Sequence, residues 1–274
     1  MNPVVIVTGA NTGIGLATAR ALAIEGAHVF LACRSEEKTQ SVIEEIRRAS
    51  SQATVEYLPL DLGDFDSIRR CADAFLRRDL PLHVLINNAG LTGRRELTRS
   101  GFEVAFGVTH VGHFLLTRLL LDRIKASAPA RIVTVASAAH YQARTIDFDA
   151  VRRPAATASG LAAYGVAKLA NVLFSAELGR RLEGTGVATY SLHPGVVASD
   201  VWRLVPWPVR PLIKLFMLST EDGARTTLYC ATSPECATET GLYYDKCRAR
   251  TPSAAAQDRT LAMALWDQSE RWTA

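Results

Sequence analysis

The stretch that decides the fold is residues 4–15, which read VVIVTGANTGIG. Its first half, Val4–Thr8, is a short β-branched run that predicts a strand buried on both faces. The glycines of its second half are Gly9, Gly13 and Gly15. They allow a tight turn into the predicted helix Ile14–Ala23, whose N-terminus offers free N–H groups and the positive end of its dipole. This strand, turn and helix predict a binding site for a dinucleotide pyrophosphate, and a purely structural turn is the alternative.

The alternation of strand and helix continues along the chain. Further strands are predicted at His28–Ala32, Val55–Pro59, Val84–Asn87, Arg131–Ala136, Ala188–His193 and Leu242–Tyr244. Helices are predicted at Glu36–Arg48, Asp64–Leu76, Val111–Lys125, Tyr164–Leu182, Asp222–Ala231 and Asp258–Arg271, with one more helix before Val111. Since each crossover lays a helix on the sheet, the strands must pair in parallel. The pattern predicts an α/β fold: a single-domain, doubly wound (Rossmann) sheet of about seven strands with helices on both faces.

Composition sets the limits of this prediction. The chain has 274 residues, of which 48% are hydrophobic, and no linker or repeat divides it. We therefore expect one domain over residues 1–274, with a cofactor half at about 1–130 and a catalytic and substrate half at about 131–274. The net charge is only +4, and its basic pairs are scattered, which argues against a nucleic-acid surface.

Cysteine usage and the N-terminus bear on location. Five cysteines without metal-ligand spacing fit reduced thiols in the cytoplasm, with no disulfide framework and no metal site. We find neither the pattern of a signal peptide nor an uninterrupted apolar run of about 18 residues, so we expect no transmembrane segment.

Polar residues follow the predicted strands at the edge where a cofactor would lie. Arg34 and Ser35 follow the second strand, where dinucleotide folds meet the adenosine ribose. An acidic residue there holds the ribose 2′-hydroxyl, whereas an arginine pairs with a 2′-phosphate, so the pair favours NADP(H). The alternative is an exposed arginine that opens a helix. Asp61 follows the third strand and residues 87–90 (NNAG) end the fourth, and both are predicted to contact the cofactor.

Tyr164 and Lys168 are four residues apart, so on a helix they share one face. A nearby ammonium group favours the phenolate, so we expect Lys168 to lower the pKa of Tyr164. Tyr164 would then be a general acid for carbonyl reduction and a base for alcohol oxidation. Ser137 ends the fifth strand, where its hydroxyl can bond the substrate oxygen. A helix-surface pair is the alternative for Tyr164 and Lys168 taken alone.

Five motifs occur in one order along the chain: TGANTGIG at 8–15, NNAG at 87–90, Ser137, Tyr164-x-x-x-Lys168, and HPG at 193–195. Together they resemble the short-chain dehydrogenase/reductase family. The segments ACR at 32–34, GHFLLT at 112–117 and KLANVLF at 168–174 resemble its retinol-dehydrogenase-like subgroup. The resemblance implies a reduction of carbonyls or oxidation of alcohols that depends on NADP(H).

The resemblance also implies roles for individual residues. The catalytic set would be Ser137, Tyr164, Lys168 and the residue at position 109. The cofactor would contact Gly9, Asn11, Thr12, Gly13, Ile14, Gly15, Arg34, Ser35, Asp61, Leu62, Asn88, Ala89, Gly90, Tyr164, Lys168, Pro194, Gly195, Val197 and Ser199. Among these, Asp61 would meet the adenine, Asn88 a ribose on the adenosine side, and Lys168 the nicotinamide ribose.

The chain departs from the family pattern at Thr109, where the family commonly has a catalytic Asn. That Asn helps to hold a helix kink and a water that leads to Lys168, so we expect a working but slowed enzyme. His110 and His113 lie close by in sequence, and we interpret them as buried or capping residues. Residues 200–218 are apolar and interrupted by prolines, which predicts a lid for a lipophilic substrate; peripheral membrane contact through 202–218 is the alternative.

Three functions are compatible with these residues. The first is an NADPH-dependent carbonyl reductase or alcohol dehydrogenase for a lipophilic small molecule. The second is a catalytically weak member that binds NADP(H) as a regulator or scaffold, which only Thr109 favours. The third is an enzyme of another reaction type on the same fold, such as an isomerase. The sequence also leaves open a homodimer formed through the long helices.

Overall fold

Strands and helices alternate along the chain as predicted. The computed structural model describes residues 2–92, 95–195 and 219–274. The strands are β1 (Val4–Thr8), β2 (His28–Cys33), β3 (Thr54–Pro59), β4 (Val84–Asn87), β5 (Ala130–Val135), β6 (Val187–His193), β7 (Leu242–Asp245) and β8 (Arg248–Arg250). The helices are α1 (Gly13–Ile24), α2 (Glu36–Ala49), α3 (Phe65–Leu76), α4 (Val104–Ala126), α5 (Leu161–Arg181), α6 (Thr220–Thr232) and α7 (Arg259–Thr273).

The described residues form one sheet with the strand order β3-β2-β1-β4-β5-β6-β7-β8, parallel except for the last pair. The order reverses between β1 and β4, so the ligand crevice opens at the carboxyl ends of these two strands. The predicted doubly wound fold is confirmed. The eighth strand, Arg248–Arg250, was not predicted, because its three residues are all exposed and carry no apolar pattern.

The core lies on both sides of the sheet, and β1 shows how the sequence builds it. Val4 and Ile6 pack into the cluster on one face, which includes Phe114 of α4. Val5 and Val7 pack into the cluster on the other face, which includes Leu22 of α1. Side chains alternate along a strand, so an unbroken apolar run is what a strand covered on both faces requires.

The prediction of two helices between β4 and β5 is wrong. The structure has one continuous helix, α4, with a π-helical turn at Gly107–Val111. The glycines of this segment permit close packing and do not end the helix. A Cβ at Gly107 would lie 2.7 Å from Cγ2 of Thr98, and one at Gly112 would lie 2.4 Å from the Leu62 carbonyl oxygen. The π turn absorbs one additional residue without breaking the helix axis.

Helix α5 begins at Leu161, three residues earlier than predicted, after Gly160 with φ of +59°. Helix α7 packs on it, with the rings of Trp266 and Phe174 stacked at 6.0 Å. By length and composition alone, α4 and α5 are long enough to cross a membrane, but 78% and 67% of their apolar windows are buried inside the structure. Buried helices of this kind are typical of a protein core.

Candidate active site

The phosphate turn joins β1 to α1 at the crevice. Thr12 precedes α1 without capping it through its side chain, and the first turn contains no acidic residue. A Cβ at Gly15 would lie 2.5 Å from both the Gly9 carbonyl oxygen and Nδ2 of Asn88, whereas one at Gly13 would meet nothing within 4 Å. The Gly15 side of the turn therefore packs against Gly9 and Asn88, and the Gly13 side is open. Within the described part of the chain, the first N–H groups of α1 have no side-chain cap. Asn11 and Ile14 lie in the same turn, which fits a pyrophosphate.

Thr8 fastens the segment 88–90 to this turn. Its hydroxyl oxygen accepts hydrogen bonds from the backbone N–H groups of Asn88 at 2.9 Å and Ala89 at 3.0 Å. The Asn88 amide donates to the Thr8 carbonyl at 2.8 Å. The carboxyl ends of β1 and β4 are thus held together by side chains, and Gly90 extends from them towards α4 and α5.

The residues predicted to meet the adenosine half lie along the outer strands. Arg34 is exposed, and among the described residues it makes no hydrogen bond or ion pair. Ser35 caps α2 by accepting from the Lys38 N–H. Asp61 accepts from the Gly63 N–H at 2.9 Å through one carboxylate oxygen. Leu62 is buried, with its carbonyl facing Gly112 of α4.

Ser137, Tyr164 and Lys168 lie together where β5 and α5 meet the crevice. Nζ of Lys168 is buried, donates to the Val135 carbonyl at 2.7 Å and lies 5.5 Å from the Tyr164 ring centroid. The Ser137 side chain interacts with the Tyr164 phenol. The single helical turn between Tyr164 and Lys168 gives this grouping, as the sequence spacing predicts.

The expected lowering of the Tyr164 pKa by Lys168 is not found. Burial raises the pKa of Tyr164 above its ordinary value, and the interaction with Ser137 only opposes this shift. Burial also lowers the pKa of Lys168 to about 7, so the lysine is a weaker cation than the sequence suggests. Desolvation disfavours the charged form of both groups, and at this distance it outweighs the pairing of phenolate with ammonium.

Thr109 lies in the π turn of α4, beside the lysine. A Cβ at Gly90 would be 3.5 Å from Oγ1 of Thr109 and 3.4 Å from Nζ of Lys168, so both groups border the space beside Gly90. Oγ1 of Thr109 is buried and has no hydrogen-bond partner within the described parts of the chain. The Thr109 carbonyl accepts from Nδ1 of His113 at 2.9 Å.

Two site residues were missed by sequence reasoning. His140 donates from Nδ1 to the Ser137 carbonyl at 2.7 Å, and its Nε2 accepts from the Ser253 N–H at 3.1 Å. Asn171 donates to the same Val135 carbonyl as Lys168, at 3.3 Å. The position of Asn171, seven residues after Tyr164 on the same helix, was an available signal. None existed for His140, whose second partner is 113 residues away.

The remaining predicted cofactor residues follow β6. Pro194 and Gly195 are described, and Gly195 has φ of +88°. Val197, Ser199 and the predicted lid at 200–218 lie outside the described residues.

A Rossmann crevice with a glycine turn at one strand end and a Ser, Tyr and Lys group at another defines an oxidoreductase that uses a nicotinamide cofactor. Residues 3–148 match the family model described as short chain dehydrogenase. The chain belongs to this family.

Named relatives place it in the retinol-dehydrogenase-like part of the family. It is 46% identical to human retinol dehydrogenase 11, over 97% of this chain and 84% of the relative. It is 42% identical to the WW domain-containing oxidoreductase of Danio rerio, over 98% of this chain and 68% of the relative. A solved structure of an uncharacterised protein from Mycobacterium paratuberculosis is 34% identical with a TM-score of 0.79, over 99% of this chain and 93% of that one.

Proposed function

We propose that the protein is an NADP(H)-dependent oxidoreductase that interconverts a carbonyl and an alcohol on a lipophilic small molecule. The observation that carries this proposal is the group formed by the partly buried Ser137 and Tyr164 with the buried Lys168 at the mouth of the crevice. The chain's similarity to retinol dehydrogenases 11 and 12, at 43–46% identity, supports a lipophilic small molecule as the substrate.

Each side chain has a defined task in this reaction. The nicotinamide ring, when bound, supplies or accepts the hydride. The Ser137 hydroxyl donates a hydrogen bond to the substrate carbonyl oxygen and orients it. Tyr164 gives its phenolic proton to that oxygen during reduction and takes it back during oxidation. Lys168, as an ammonium, stabilises the phenolate left on Tyr164 and holds the ribose beside it.

The proton donor is tested by Tyr164→Phe. We expect turnover to fall by roughly 10² or more, the usual scale for a positioned general acid, with the fold and NADPH affinity retained. NADPH absorbance is followed with retinaldehydes, medium-chain aldehydes and polycyclic ketones. Tyr229→Phe is the control, because it removes an exposed hydroxyl whose one hydrogen-bond partner among the described residues is Glu235. A Tyr164→Phe variant as fast as this control would exclude Tyr164 as the donor.

The preference for NADP(H) rests on Arg34, which is exposed beside the N-terminus of α2 with a guanidinium group available for a 2′-phosphate. A related structure, assigned as an NAD(P)-dependent gluconate 5-dehydrogenase from Beutenbergia cavernae, contains bound NADP; it is 25% identical with a TM-score of 0.72, over 88% of this chain and 93% of that one.

We expect NADPH to bind more tightly than NADH by roughly 1–3 kcal/mol, the worth of a charge-assisted contact, and Arg34→Ala to remove most of that difference. Both cofactors are titrated by fluorescence. Arg48→Ala, an exposed arginine at the other end of α2, is the control. Equal affinity of the unsubstituted protein for the two cofactors would contradict the preference.

The lipophilic substrate class and the location are inferred from sequence. The apolar segment 200–218 supports an apolar lid, and peripheral membrane contact through 202–218 is the alternative use of the same residues. We place the protein in the cytoplasm on its cysteine usage, and we retain a homodimer as a proposal.

A further inference from the structure

The side chain of His113 joins three parts of the site. It is buried on α4, one turn after Thr109. Its Nδ1 lies 2.9 Å from the Thr109 carbonyl oxygen, and its Nε2 lies 2.8 Å from Oγ1 of Thr8 at the end of β1. Thr8 in turn holds the N–H groups of Asn88 and Ala89.

The partners determine which ring nitrogen carries the proton. A carbonyl oxygen can only accept, so Nδ1 of His113 carries the hydrogen. Oγ1 of Thr8 uses both of its lone pairs on the N–H groups of Asn88 and Ala89. Its own hydrogen has two acceptors within reach, Nε2 of His113 at 2.8 Å and the Ile86 carbonyl at 3.3 Å, and the shorter contact favours donation to Nε2. His113 is therefore neutral, with one donor and one acceptor, both used. Burial lowers its pKa to about 4, consistent with this state.

We infer that His113 is a positioning residue for the proposed reaction: it ties the Thr109 carbonyl, in the π turn of α4, to β1 and to the segment 88–90. This inference rests on the proposed function. Oγ1 of Thr109 makes no hydrogen bond among the described residues, so the Thr109 side chain does not itself anchor the turn. The link from His113, four residues later, connects the turn to β1 through the Thr109 carbonyl.

The anchor matters because the π turn forms one wall beside the reacting lysine. Oγ1 of Thr109 and Nζ of Lys168 both border the space beside Gly90, where an added Cβ would lie 3.5 Å from one and 3.4 Å from the other. The titratable groups that interact with Lys168 electrostatically among the described residues are His113 and His193, and Tyr164 lies beside it on α5. A shift of the π turn would therefore change both the packing and the electrostatic field around Nζ of Lys168.

His113 is not itself a proton carrier in this arrangement. Its proton is held by a backbone carbonyl, and its free nitrogen is occupied by the Thr8 hydroxyl. A proton that entered at Nε2 would displace the Thr8 donor and place a second cation near Lys168. His113 therefore helps to position the reacting groups and takes part in no step of the reaction.

The test uses His113→Asn, whose side-chain amide can still reach the Thr109 carbonyl but cannot reach Thr8, and His113→Leu, which removes both links. We expect kcat to fall about 5- to 30-fold in His113→Leu, the factor for one lost neutral hydrogen bond, and less in His113→Asn. KM for NADPH should change little. His110→Leu is the matched control, since His110 is equally buried in the π turn but bonds Ser269 of α7 instead.

A second comparison separates positioning from a merely structural role. If the His113 link is what holds the π turn at Thr109, the amide added by Thr109→Asn should partly take over this task, and His113→Leu should cost less kcat in that background than alone. Additive effects on kcat, or equal kcat losses in His110→Leu and His113→Leu at matched folded fractions, would overturn the inference.

A readout without turnover keeps this test independent of the proposed function. NADPH affinity measured by fluorescence across pH 6–9 should follow the protonation of Lys168. The pH midpoint of NADPH binding should shift in His113→Leu and be unchanged in His110→Leu. If the unsubstituted protein reduces no carbonyl of the panel, the proposed function fails, and this midpoint still decides the role of His113: an unmoved midpoint refutes it.

Discussion

Among single residues, Lys168 lowers the stability of the folded protein at the position where the proposed reaction needs it. Its ammonium is buried, and among the described residues its one hydrogen-bond partner is the Val135 carbonyl. Burial lowers its pKa from 10.5 to about 7. A buried cation without an anionic partner destabilises the folded state, and such groups persist where chemistry requires them.

Replacing this lysine with methionine should stabilise the cofactor-free protein and abolish turnover. The lysine is protonated more readily in the unfolded chain, so its cost grows as the pH falls from about 10.5 to about 7 and is constant below that. We expect Lys168→Met to raise the free energy of unfolding by roughly 1–4 kcal/mol at pH 6 and by little near pH 10. The Val135 carbonyl keeps its bond from Asn171 in this variant.

Thermal denaturation at the two pH values measures this difference. Lys125→Met, at a half-exposed position of α4, is the control. A stabilisation that is equal at pH 6 and pH 10 would show that packing, and not the buried charge, is responsible.

At the scale of elements, α4 decides the shape of the site. Its π turn carries Thr109, and its following turns carry Gly112 and His113. The absence of a side chain at Gly112 lets the helix approach the loop after β3, whose Leu62 carbonyl would lie 2.4 Å from an added Cβ. The register of α4 against the cofactor edge thus depends on one glycine.

Gly112→Ala should therefore destabilise the protein although alanine favours helices. A backbone carbonyl cannot move by the distance that a 2.4 Å contact requires, and the overpacking should lower the free energy of unfolding by roughly 1–3 kcal/mol. Gly165→Ala is the matched control within α5: its added Cβ would meet another backbone carbonyl, that of Ala139, but at 3.1 Å, where a much smaller shift is enough and helix propensity offsets the cost. Urea denaturation compares the two, and similar free energies of unfolding would refute the proposed role of Gly112.

Across the whole molecule, helix α7 at the end of the chain packs against α4 and α5. Trp266 of α7 packs against Phe114 of α4 and Phe174 of α5, and the Arg181 guanidinium lies 4.3 Å from its ring centroid. His110 in the π turn bonds Ser269 of the same helix. The catalytic and cofactor halves expected from sequence therefore share one core, to which α7 contributes from the last residues of the chain.

Local sequence patterns were enough to predict the doubly wound fold and the candidate groups. Strands covered on both faces need unbroken apolar runs, and a phosphate turn needs glycine, so both leave local patterns such as residues 4–15. The four-residue spacing of Tyr164 and Lys168 likewise places them on one helix face.

The protonation and hydrogen bonding of these groups depend on how distant elements pack around them. The raised pKa of Tyr164 and the lowered pKa of Lys168 come from burial by the surrounding elements, so no local pattern encodes them. Burial likewise lowers the pKa of His113, and one of its two hydrogen-bond partners, Thr8, is 105 residues away in the chain. The continuity of α4 follows from close packing against Leu62 and Thr98, since a glycine reads the same in sequence whether it ends a helix or admits a neighbouring backbone.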